Sequence, residues 1–143
     1  MKASRETQAV LVERHLTKTQ LFDRVCRILG DQAVITEPEV AVAALEERER
    51  LAETLITKRV AMPHCQSEVI KQSKILLVNC KRFPIVWDDA GHQVVGLVML
   101  LLAKDARQDQ LLRITDFVRQ LADSDVADSL FEGEPTAANT IEI

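Results

Sequence analysis

Arg59-Val60-Ala61-Met62-Pro63-His64-Cys65 starts as a short β-prone run and meets a proline. The pyrrolidine ring fixes φ at Pro63 and pushes Met62 towards extended backbone, so a strand is expected to end at His64 and give way to a loop. A histidine held in that way is placed to offer one ring nitrogen to solvent or to a docking partner. The position suits a structural hydrogen-bonding histidine equally well, and spacing alone does not separate the two readings.

Upstream, Gln8 to Glu13 is a short apolar run that reads as a first strand. Thr17-Lys18-Thr19-Gln20 has the capping-box pattern, and Leu21, Phe22, Val25, Ile28 and Leu29 follow at helical spacing up to Gly30. Cys26 falls in this helix as a buried, inert thiol. Thr36-Glu37-Pro38-Glu39 repeats the capping pattern, with Pro38 in the first turn, where its missing N–H costs little. The helix that follows ends in Glu46-Glu47-Arg48-Glu49-Arg50. Two readings stand for Arg48: part of a solvated face, with Glu46 and Arg50 paired at i, i+4, or a side chain turned towards the loop that leads to His64.

Downstream, Ser73 to Lys81 and Val94 to Ala103 are the strongest strands, the latter continuously apolar and therefore central. Phe83 to Trp87 reads as a hairpin arm turned by Asp88 to His92, with Trp87 packed over the strands. An amphipathic helix is predicted from Gln108, a shorter one from Asp123 to about Phe131, and a last one from Glu134-Pro135 to near Ile143. The order β-α-α-β-β-β-α-α-α predicts an α+β fold of three α/β/α layers, a single mixed sheet flanked by helices, in one domain over residues 1–143.

Composition narrows the function classes. With 143 residues, 47% hydrophobic and 28% charged, the chain has material for one core and a soluble surface. The net charge of −4 lacks the basic stripe of a nucleic-acid binder. No apolar run approaches the roughly 20 residues needed to cross a bilayer, and the N-terminus has no signal-like segment, so a cytoplasmic protein without membrane insertion is expected. Cys26, Cys65 and Cys80 have no paired spacing and are expected to be reduced.

The chemistry narrows similarly. Four glycines form no phosphate-binding loop, and no nucleophile elbow or zinc-protease pair is present. A metal would need His15, His64 and His92 to converge, which nothing in the sequence indicates; no metal or cofactor is expected. His64 and Cys65 point apart in extended backbone, against a thiol–imidazole pair. What remains is a nucleophilic histidine. A neutral imidazole can take a phosphoryl group on one nitrogen while the other is fixed by a hydrogen bond, and phosphoryl transfer then asks mainly for positioning and charge compensation. Arg48 and an amide such as Gln110 suit that task.

Arg48-Glu49, followed sixteen positions after Arg48 by the end of Val60-Ala61-Met62-Pro63-His64, resembles the signature of enzyme IIA domains of the mannitol/fructose class in the phosphoenolpyruvate-dependent sugar phosphotransferase system. The order of elements is similar over nearly the whole chain. The resemblance implies a phosphotransferase component whose His64 takes a phosphoryl group from HPr and passes it to a cysteine of enzyme IIB, the partner of the membrane enzyme IIC, with Arg48 neutralising phosphate. Mannitol-type members carry a second active-site histidine where this chain has Gln110, and the loop before the motif has Thr57-Lys58-Arg59 in place of the usual glycine. Pro63-His64-Cys65 and Gln110 resemble the galactitol-type branch more than the mannitol one. A rival reading is a regulatory domain similar to the nitrogen-type IIA proteins or to IIA modules appended to transcription regulators, whose phosphorylation alters a protein partner.

Overall fold

The structure is a computed structural model and describes residues 6–132 and 140–143. Its elements run β1 Thr7–Leu11, α1 Lys18–Asp31, α2 Pro38–Leu51, β2 Val60–Ala61, β3 His64–Ser67, β4 Lys74–Asn79, β5 Ile85–Val86, β6 Gln93–Val94, β7 Gly96–Ala103, α3 Gln108–Gln120, α4 Ser124–Ser129 and β8 Thr140–Glu142. The main sheet is mixed. Neighbouring strands follow the order β2-β7-β4-β1-β8, with β3 also on β7. β7 pairs antiparallel with β4 and parallel with β2 and β3, while β1 pairs parallel with both β4 and β8.

Side-chain alternation along the strands divides the core into two layers. On one face Leu97, Met99 and Leu101 of β7 and Leu76 and Val78 of β4 pack with Leu21, Phe22, Val25 and Leu29 of α1 and Ala41 and Leu45 of α2. On the other, Val98, Leu100 and Ile75 pack with Ile114 and Phe117 of α3 and Ala127 of α4. At roughly 1.5–3 kcal/mol for each fully buried large aliphatic or aromatic side chain, these two layers are what orders the strands. The three-layer arrangement expected from the sequence is the one observed. Gly96 is required for close approach, since a Cβ there would lie 2.2 Å from the Phe131 ring.

The Thr17 capping box forms as read: the Thr17 hydroxyl accepts from the Gln20 amide at 3.1 Å, and the Gln20 side chain accepts from Thr17 N–H at 2.9 Å. The second does not. Glu37 is the N-cap of α2 without a side-chain bond, because the Thr36 hydroxyl and N–H both donate to Val69 O, a tertiary partner that outcompetes the local one. Pro38 opens the helix as expected. Ile85–Val86 and Gln93–Val94 make the small hairpin, and Trp87 is buried against Phe22, ring centroids 6.2 Å apart.

Two expectations need correction. The strand expected to end at His64 is instead broken at Met62-Pro63 and resumes at His64, because Pro63 has no N–H for the ladder. The register does not slip: Val60 faces Gly96, His64 faces Leu100, and Leu100 N–H still donates to Pro63 O at 3.0 Å. The last helix is not formed at its end, where Thr140–Glu142 is strand β8 laid parallel on β1; the start expected at Glu134-Pro135 lies outside the described residues. Two of its three residues, Thr140 and Ile141, are β-branched and suit an edge strand.

Candidate functional site

Alternation along the strand turns the Met62 backbone away from β7, since the Arg59 and Pro63 carbonyls are the ones that bond to it. Met62 N–H donates to Thr54 O at 2.8 Å, and Met62 O lies 2.9 Å from His64 Nδ1. A carbonyl only accepts, so Nδ1 carries the proton and donates to it. Arg48, in the last turn of α2, donates from Nε to His64 Nε2 at 3.1 Å and from Nη1 to Ala52 O at 2.8 Å. An N–H donor at Nε2 requires a lone pair there. The bonding therefore fits the Nδ1–H tautomer, with Nε2 directed at the Arg48 guanidinium.

Both side chains are half-buried. Cys65 faces the core between the sheet and α1/α2, so alternation sends His64 to the opposite face, the one α3 covers. Burial pushes the Cys65 thiol up to about 11, leaving it protonated at neutral pH. Of the two readings of Arg48, the structure therefore has the side chain turned to His64. The acidic residue paired with Arg50 is Glu47 and not Glu46.

Gln110 sits elsewhere in its bonding. Its amide donates to Glu6 Oε1 at 3.5 Å, and the same carboxylate accepts from Arg113. These three residues share the wall of a cavity of about 410 Å³ with Lys71, Lys74 and Arg107, and neither His64 nor Arg48 lines it. The other histidines have separate surroundings: His15 meets Phe83 edge-on at 4.9 Å, and His92 Nδ1 lies 2.7 Å from Asp88 Oδ2 in the hairpin turn.

Sequence reasoning missed the layer behind His64. Thr54 is buried, its hydroxyl donates to Glu49 Oε1, and its carbonyl holds the Met62 amide. The only signal was Glu49 itself, an acidic residue next to Arg48 whose side chain is 7% exposed; its burial cannot be read from a run of charges.

A mixed sheet with helices on both faces thus carries, at a strand break, a histidine whose Nε2 faces an arginine from the second helix. The family described as "Phosphoenolpyruvate-dependent sugar phosphotransferase system, EIIA 2" matches residues 5–138, and the chain belongs to it. Members are phosphotransferase components. Among curated relatives, the fructose-specific EIIABC component of Mycoplasma pneumoniae is 28% identical over 114 residues, 79% of this chain. The chain spans about a sixth of that relative, the match covering 16% of its length.

Solved structures share the fold. The nitrogen regulatory protein IIA-Ntr from Neisseria meningitidis has a TM-score of 0.68 at 21% identity, covering 89% of this chain and 86% of that one. IIA mannitol from Escherichia coli has 0.65 at 18%, covering 95% and 94%. The complex of Escherichia coli IIAMtl with phosphorylated IIBMtl has 0.67 at 16%, covering 94% and 92%. Among the described residues no helix is long and apolar enough to cross a membrane.

Proposed function

We propose that the chain is a cytoplasmic phosphocarrier, one EIIA domain over residues 1–143, that accepts a phosphoryl group from phospho-HPr on His64 Nε2 and passes it to a cysteine of a cognate enzyme IIB. The observation that carries this is the ring's bonding: Nδ1–H tied to Met62 O and Nε2 facing Arg48. In the first step the Nε2 lone pair forms a bond to phosphorus as the bond from phosphorus to the carrier's ring nitrogen breaks, its electron pair staying with the carrier. In the second a thiolate of IIB attacks phosphorus and Nε2 recovers its pair. The Nδ1 proton stays in place throughout.

Arg48 is the charge-stabilising residue. A phosphoryl group brings roughly −1.5 to −2 charges, so Nε–H leaves Nε2 for a phosphoryl oxygen while Nη1 keeps its bond to Ala52 O. Gln110 is the polar second wall, reached when its weak bond to Glu6 opens. Leu51, 76% exposed beside Ala52, offers an apolar contact for a carrier. Pairing with IIB and a membrane IIC is supported by the IIAMtl–IIBMtl complex and by the EIIABC relative. The sugar is galactitol-like or related.

A regulatory role is the second reading, favoured by the likeness to IIA-Ntr. Adjacent IIB and IIC genes would favour transport. The test of the phosphocarrier reading is incubation with phosphoenolpyruvate, enzyme I and HPr: an acid-labile gain of one phosphoryl mass is expected, and no gain rejects the proposal.

A further inference from the structure

Arg48 and Glu49 are neighbours at the end of α2, and we infer that they serve the two nitrogens of one ring: Arg48 touches Nε2 directly, while Glu49 is a positioning residue that holds the Nδ1 side through Thr54 and Met62. Each link is a hydrogen bond. Glu49 Oε1 accepts from the Thr54 hydroxyl, Thr54 O accepts from Met62 N–H at 2.8 Å, and Met62 O accepts from His64 Nδ1–H at 2.9 Å. The two residues that start this relay are shielded from water, with Thr54 6% exposed and the Glu49 side chain 7% exposed. Lys18 Nζ lies 3.9 Å from Glu49 Oε2 and covers the far side of the carboxylate.

A buried carboxylate is costly and needs partners. Glu49 Oε1 accepts from the Thr54 hydroxyl, whereas the buried Oε2 makes no hydrogen bond and has only the Lys18 ammonium 3.9 Å away, so the bond to Thr54 is the one that ties the carboxylate to this segment. Arg59 and Pro63 carbonyls face β7, so by alternation the Met62 N–H points the other way, and the Thr54 carbonyl is the partner that fixes it. If residue 54 loosens, the Met62 carbonyl is free to turn, Nδ1–H loses its acceptor, and the proton can move to Nε2, which removes the nucleophile. The Thr54–Met62 bond is one half of the antiparallel Leu55–Ala61 bridge, whose other half is Ile56 N–H to Val60 O at 2.9 Å; of the two, only the Thr54 bond is made by Met62 itself.

This inference rests on the reading of His64 Nε2 as acceptor, so its test uses the unphosphorylated protein as well. Ring ¹⁵N NMR reads the tautomer directly, and transfer from phospho-HPr reads its consequence. Thr54→Val keeps the shape of residue 54 and removes the hydroxyl. It is expected to give a mixed tautomer population and transfer slowed roughly tenfold, as small displacements of a reacting group do, with Thr54→Ser restoring both. Glu49→Gln keeps an oxygen to accept from Thr54 and removes the charge; it is expected to retain the single tautomer. A folded Thr54→Val with the wild-type ring spectrum overturns the inference, as does a mixed population in Glu49→Gln or a Thr54→Ser variant that fails to restore the single form. A wild-type ring that is singly Nδ1–H but takes no phosphate rejects the acceptor reading alone, since the tautomer series still reads the relay.

Discussion

The α2 side and the α3 side of the site are built differently. On the α2 side the polar contacts converge on one ring: Arg48 at Nε2, and Thr54 and Met62 behind Nδ1. On the α3 side they close on one another. Glu6 accepts from Gln110 and Arg113, and Asp109 accepts from Arg107 and Arg113. Burial pushes the Asp109 carboxyl up, but Arg107, the Gln110 amide and Arg113 outweigh it, and the net direction is down. The His64 ring is thus held from α2, whereas the polar groups of α3 are engaged with one another and with Glu6. Gln110 to Glu6 at 3.5 Å is at the limit of a hydrogen bond and cheap to give up.

The largest expected effect is His64→Ala, which abolishes labelling from phospho-HPr while lowering stability by about 1 kcal/mol, as measured by denaturant unfolding. Next comes Arg48→Ala, with transfer reduced about a hundredfold or more in rapid-quench assays, the scale of losing one preorganised donor to developing charge. Arg48→Lys recovers only part of this, because an ammonium cannot hold Ala52 O and a phosphoryl oxygen in the guanidinium's planar fork. Gln110→Ala sharpens the comparison: a loss of less than about tenfold is expected, and a loss equal to that of Arg48→Ala would break the distinction between the two sides.

Smallest is Cys65→Ala, since its thiol faces the core and stays protonated; transfer within about twofold of wild type is expected. The same burial predicts that native Cys65, raised to about 11, and Cys26 and Cys80, raised to about 12, resist alkylation at pH 8. Mass spectrometry after iodoacetamide should find all three largely unmodified until the protein is unfolded.

What could be read from the chain follows how local each signal is. The Thr17 cap and the helix behind it need only neighbours in sequence, and both are present. The Thr36 cap has the same pattern and fails because Val69, far along the chain, supplies a better partner. The last strand was read as a helix because Pro135 marks a helix start, while the parallel register on β1 that makes Thr140–Glu142 a strand is a long-range event. The break beside His64 was legible from Pro63, although His64 opens β3 and does not close a strand, and its approach by Arg48 was one of two options that only the family resemblance favoured. Thr54 and the Met62 carbonyl were not legible at all. Their role comes from backbone groups that strand alternation turns away from β7 and towards residues 54–57, and backbone direction leaves no mark in residue type.

Which nitrogen of which histidine holds phosphorus decides between phosphocarrier chemistry at His64 and any other. Phosphorylate the ¹⁵N-labelled protein with phosphoenolpyruvate, enzyme I and HPr, and record ³¹P–¹⁵N couplings and ring chemical shifts. Phosphorus on His64 Nε2, with Nδ1 still protonated, is the predicted result; phosphorus on Nδ1, or on any other residue, would contradict it.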